Sequence, residues 1–165
     1  MSTCLPRLAG LAGLAIAFAA PAQAQLLAHK DLTAAIAATI VQTAVEACKA
    51  KGFAVSAVVV GRDGQTIAAL RGDNTGPHAL ENARRKAYTA RSFRRSTAEY
   101  AKQYASGNPV IRQQVTLPNV IAIPGGLPIK VGNEVIGGAG VSGSPAGNDE
   151  PCVQAGLDKV ADQLK

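Results

Sequence analysis

Apolar residues recur at three- and four-residue steps along residues 31–51, at Leu32, Ile36, Ile40, Ala44 and Ala47. That is the stripe of an amphipathic helix. Asp31 or Thr33 can cap its start, and Gly52 can end it. The pattern then changes to a β-rich run, Phe53 to Val60, followed by Arg62-Asp63-Gly64-Gln65 and a second run, Thr66 to Leu70. An Asp-Gly pair between two such runs predicts a hairpin. After a loop over 71–77, residues 78–105 read as helix, divided near Ser96-Thr97. Leu80, Ala83, Ala87 and Ala90 give it a narrow stripe of small residues, with Phe93 extending the apolar side. Such a stripe lets a helix lie close to a sheet.

Residues 106–119 read as a polar loop, and Val120 to Ile123 as a short strand ended by Pro124-Gly125-Gly126. Pro128–Val131 and Glu134–Val141 flank Gly132-Asn133, the pattern of a second hairpin. Gly143 to Asn148 reads as a loop. A last helix opens near Asp149-Glu150-Pro151, with acids and proline in its first turn, and carries Val153, Leu157, Val160 and Leu164 as its stripe. The order α-ββ-α(α)-βββ-α predicts an α+β single domain: five strands, mostly antiparallel, covered by helices.

The N-terminus stands apart from this pattern. Arg7 is the one charged residue before Lys30 and precedes an apolar run, Leu8 to Ala20, then Pro21 and Ala22-Gln23-Ala24-Gln25. A basic start, a short apolar run and a small-x-small site predict a secretory signal over 1–24. The run is shorter than the ~20 residues that span a bilayer. Cleavage is expected after Ala24, leaving a 25–165 domain in the periplasm or secreted. Cys4 leaves with the signal, so Cys48 and Cys152 remain, each near one end of a predicted helix. An oxidising compartment allows them to bridge.

The chain carries 17 basic and 11 acidic residues, a net charge of +6. The excess is concentrated on the central helix as Arg84, Arg85, Lys86, Arg91, Arg94 and Arg95, with Tyr88 among them. Guanidinium groups suit carboxylates such as heme propionates. Nucleic-acid phosphates are the weaker match, because aromatics make up 4% of the chain, few platforms for base stacking. A plain solvated face is the bland alternative. Two histidines could ligate a metal or heme: His29 before the first helix, and His78 at the start of the central one.

Gly138-Ala139-Gly140-Val141-Ser142-Gly143 fits the dinucleotide pattern, but it follows a hairpin strand and leads into a loop. The glycines are better read as close backbone packing. No catalytic set stands out. Ser142 and Ser144 have no evident histidine partner, Asp63 and Glu81 are isolated, and Asp149-Glu150 reads as helix-start chemistry.

Several stretches together resemble the GlcG/HbpS family of small heme-binding proteins, which includes the PduO C-terminal domain. They are Ala54 to Val60 before Asp63-Gly64, then Ala83-x-x-Lys86-Ala87-x-Thr89-Ala90-x-x-Phe93 with Thr97 after it, then Gly125-Gly126-Leu127-Pro128-Ile129, and Gly137 to Gly143 followed by Ala155-Gly156. The resemblance implies a profilin-like sandwich with a five-stranded antiparallel sheet. It implies a homo-oligomer, and a tetrapyrrole, heme above all, bound as carrier or sensor, beside a membrane-bound sensor partner in exported members. On ligand chemistry His78 is the first choice for the heme iron and His29 the second, with Arg84, Arg85 and Arg91 placed for propionates and Tyr88 beside them. No Glu-x-x-Glu pair for surface iron is found in the sequence. Two other readings stand next to this one. One is a non-heme accessory protein or enzyme acting on a small organic acid such as glycolate. The other is a scaffold with no ligand.

Overall fold

The computed structural model describes residues 25–145 and 147–165; the expected signal, residues 1–24, lies outside the described residues. The elements are α1 (Ala34–Lys49), β1 (Ser56–Val60), β2 (Thr66–Arg71), α2 (Ala79–Phe93), α3 (Thr97–Ala105), α4 (Pro109–Gln114), β3 (Gly126–Val131), β4 (Glu134–Ser142) and α5 (Asp149–Lys159). A short 3₁₀ turn, Ala161–Gln163, follows α5. The strands form one antiparallel sheet in the order β2-β1-β4-β3.

Local chemistry explains most boundaries. Thr33 caps α1, its Oγ1 accepting from the Ile36 N–H at 3.2 Å. Asp31, the alternative cap, pairs instead with Arg62 at 3.1 Å. The long central helix does divide: Arg94 takes a left-handed φ of 57°, and Ser96 caps the next helix through the Glu99 N–H.

Two expectations are corrected. The sheet has four strands among the described residues, not five, because Val120–Ile123 forms no strand. Its backbone is bonded to α2 side chains: the Ile121 N–H donates to Thr89 Oγ1 at 2.9 Å, and the Val120 carbonyl accepts from Arg85 at 2.7 Å. An extended apolar run satisfied in this way has no need of a neighbouring strand. The loop expected over 106–119 contains α4. Asn108 Oδ1 accepts from the Val110 and Ile111 N–H groups and Pro109 occupies the first turn, both helix-start signals.

The sheet is covered on both faces, so β1 is buried along its whole length. Ala57, Val59, Ala139 and Val141 pack toward α1 and α5 with Ile40, Ala44 and Val153. Val58 and Val60 pack toward α2 with Ala83 and Ala87. Here the glycines of β4 are decisive. A methyl on Gly138 would strike the Ala87 carbonyl oxygen, and one on Gly140 the Ala83 carbonyl oxygen. The glycine pattern is therefore a seat for a helix backbone. Cys48 of α1 and Cys152 of α5 are joined by a disulfide, with 5.5 Å between their Cα atoms.

Candidate functional site

Helix α2 carries most of the predicted site residues, and its seating decides what each can do. It lies antiparallel to β4, with Ala83 over Gly140 and Ala87 over Gly138. Its N-terminal end therefore sits near the Ser56–Ser142 end of the sheet, where Ser56 meets Thr75, and its C-terminal end near Val60 and the β1–β2 turn.

Lys86 is corrected first. It does not belong to the solvated cationic face. Its side chain is 2% exposed, and its Nζ donates to Asp149 Oδ2 at 2.7 Å and to the Val141 carbonyl at 2.9 Å. Asp149 Oδ1 in turn accepts from the Ser144 hydroxyl at 2.7 Å and the Ser144 N–H at 3.1 Å. The group joins α2, the end of β4 and the first turn of α5. Nearby, buried Thr97 accepts from the Gly126 N–H at 2.8 Å. Lys86, Thr89 and Thr97 stand in the stretches that carry the family resemblance. Nothing in their spacing says that they are buried polar ties.

The arginines separate into engaged and unengaged groups. Arg84 holds both carboxylate oxygens of Glu81, at 2.7 and 2.8 Å, and also donates to Asn119 Oδ1. The hydrogen bond from Arg84 lowers the Glu81 pKa, and the same bond raises that of Arg84. Arg85 is bonded to the Val120 carbonyl, and Arg95 to Gln103. Arg91 differs. Its Nε is sealed from solvent and has no acceptor among the described residues. Burial, with like charge from Arg62 and Arg94, lowers its pKa from the usual guanidinium value. Tyr88 is half-buried, its ring edge against Gly64 of the β1–β2 turn.

The two histidines are not brought together. His78 is exposed at the N-cap of α2, makes no capping bond, and folds its ring back over Gly76. His29 is exposed beside Lys30, whose carbonyl accepts from Arg62 at 2.7 Å. That places His29 at the end of the sheet that holds the β1–β2 turn. His78 and Arg91 are thirteen positions apart on one helix, about 20 Å at the usual rise. Arg91, within charge range of Arg62, lies toward the His29 end.

A groove of about 720 Å³ runs between α1 and β2, lined by Val41, Val45, Ile67 and Leu70 with Lys49 and Arg71 at its rim, and no histidine in its wall. A second, of about 580 Å³, lies between α3 and α5 and is lined by Ala98, Pro124, Glu150, Pro151 and others. Burial raises the Glu150 pKa, and its Oε2 has no partner among the described residues. No group of three metal-binding side chains is found among the described residues.

The sequence profile of the family described as "Haem degrading protein HbpS-like" matches residues 32–158. The chain belongs to the HbpS-like family. Among its relatives, Protein GlcG of Escherichia coli K12 is 31% identical over 111 residues, 67% of this chain and 81% of GlcG. The crystal structure of a double mutant of Streptomyces reticuli HbpS matches with a TM-score of 0.77 at 36% identity, covering 86% of this chain and 97% of that one. PduOC, solved in complex with heme, matches with a TM-score of 0.68 at 23% identity, covering 73% and 88%, and so shares the fold. The HbpS-like fold thus spans nearly all the described residues, and the Lys86–Asp149–Ser144 group and the glycine seat of α2 both lie inside the family match. No helix among the described residues is long and apolar enough to cross a membrane.

Proposed function

We propose that this protein is an exported heme-binding protein that carries or senses a tetrapyrrole. Membership of a family whose description names haem carries the reading, and a protein of the same fold has been solved with heme. The Cys48–Cys152 disulfide suits an oxidising compartment, in line with the leader-like sequence before Gln25.

The side chains fit a tetrapyrrole in part. His78 presents an imidazole without a capping bond on the surface, open to a metal, and is the first choice of ligand; His29, exposed at the opposite end of the sheet, is the second. Arg84 and Arg85 already have acceptors within the chain. Arg91 is therefore the strongest anchor for a propionate, and its position toward the His29 end gives His29 more weight than ligand chemistry alone. Tyr88 borders the same stretch of α2. Heme would supply an iron and two propionates; His78 or His29 would offer the imidazole and Arg91 the guanidinium. Because both histidines are exposed, a second subunit is expected to cover the ring.

The test is a hemin titration of residues 25–165 beside His78→Ala, His29→Ala and Arg91→Ala. A saturable Soret shift that one histidine substitution weakens or moves assigns the ligand. Loss of affinity in Arg91→Ala, with the band position kept, assigns the propionate anchor. The absence of any saturable shift overturns the heme reading and leaves the Arg91 guanidinium to a small carboxylate such as glycolate.

A further inference from the structure

Among the described residues the sheet has two free edges, β2 and β3, and they are built differently. β3 carries Pro128, which has no N–H, and an exposed Lys130. Proline and lysine on an edge both discourage the addition of another strand. β2 reads Thr-Ile-Ala-Ala-Leu-Arg, without proline or lysine; it bulges at Ile67, opposite Val59–Val60, and Ala68–Arg71 pair regularly with β1. Among the described residues no strand pairs with its outer side. Beyond the bulge, an edge of this kind presents a row of unpaired N–H and C=O groups.

The surroundings of β2 point to what covers it. Ile67, Ala68 and Leu70 are half-buried and pack against the core, while Ile67 and Leu70 also wall the 720 Å³ groove beside α1. The rim of that groove holds Glu46, Lys49, Arg71 and Asp73, two acids and two bases, with Lys49 and Asp73 3.5 Å apart. This patch is neutral on a chain of net charge +6. Most faces of so basic a chain would repel their own copy; this one would not.

We propose that β2 pairs antiparallel with β2 of a second copy about a two-fold axis, joining two four-stranded sheets into one of eight strands. Outward-pointing backbone groups alternate along the regular stretch Ala68–Arg71, so the axis of such a pair passes between one residue and its own image. Here that residue is Ala69, whose N–H and C=O face away from β1 and which is small enough for close approach. The pairing brings the two α1–β2 grooves side by side. The inference rests on the homo-oligomer reading and deepens it by naming the interface.

The test is the mass in solution, by light scattering or sedimentation, of the protein as its expressing cell processes it. Ala69 is exposed, so Ala69→Lys sets two like charges at the axis without touching the monomer core. Ala69→Glu repeats the test with the opposite sign, and circular dichroism confirms the fold of each. Lys130→Glu on β3 is the control. The expected result is a wild type at twice the monomer mass or a higher even multiple, both Ala69 variants at half the wild-type mass or less, and an unchanged Lys130→Glu. A monomeric wild type overturns the homo-oligomer reading and the interface with it. Folded Ala69 variants that keep the wild-type mass overturn the interface alone.

Discussion

Lys86 and Asp149, 63 positions apart in sequence, form an ion pair 2.7 Å long with side chains 2% and 7% exposed. The pair fastens the middle of α2 to the start of α5. Breaking a buried pair by removing one partner leaves the other charged and unsolvated, which typically costs about 3–5 kcal/mol. Lys86→Met is therefore expected to lose about that much in urea unfolding. Lys86→Met combined with Asp149→Leu should recover part of it, since neither charge is then stranded. A single variant within 0.5 kcal/mol of wild type, as is usual for a solvated surface lysine, would mean that the pair does not tie the helices.

The Cys48–Cys152 bridge spans 104 residues. On the chain-entropy account a loop of that length contributes about 4–5 kcal/mol by restricting the unfolded chain. Reduction, or replacement of both cysteines by serine, is expected to lower the urea midpoint accordingly, with the native circular dichroism retained at low denaturant. An unchanged midpoint would show that packing between α1 and α5 makes the bridge redundant.

Gly140 lies under the Ala83 carbonyl. Gly140→Ala must push α2 away from β4, and overpacking of this kind costs about 1–3 kcal/mol. A lower Tm is expected, together with weaker heme binding if α2 carries the ligand. A variant with wild-type stability would contradict the close seating of the helix.

Burial raises the Glu150 pKa above its ordinary value of 4.5. A carboxyl with a raised folded-state pKa binds its proton more tightly when folded. Its stabilising contribution is therefore present at low pH and is lost as pH rises through the folded-state value. Glu150→Gln removes this dependence. The Tm difference between variant and wild type should widen in favour of the variant as pH rises from about 4. A difference that stays constant with pH would place Glu150 in solvent.

Legibility in the sequence followed locality. Both hairpins were readable because turn and strand chemistry lie within a few residues, at Asp63-Gly64 and Gly132-Asn133. The break near Ser96 was readable because a cap is local. Val120–Ile123 reads as a strand but forms none, because the side chains that bond its backbone, Thr89 and Arg85, are more than thirty residues away. α4 has a local signal in Asn108-Pro109, but its segment is short and largely polar and shows no helical stripe. The arginine cluster was visible in the sequence. Which arginine buries an Nε without an acceptor was not, because acceptors such as Asn119 and the Val120 carbonyl come from a distant segment.

By itself the sequence determined the family, the antiparallel hairpins, the covering helices and the pairing-competent cysteines. All of these depend on spacing within an element or on motifs read in order. The tertiary structure alone decided that Lys86 is buried, that Arg91 Nε is buried without an acceptor among the described residues, that His29 and His78 lie at opposite ends of the sheet, and that β2 is an edge free of proline and lysine. Each of these depends on which remote segment arrives beside a side chain. Burial, hydrogen bonding and charge pairing are set there, and periodicity along the chain carries no record of them.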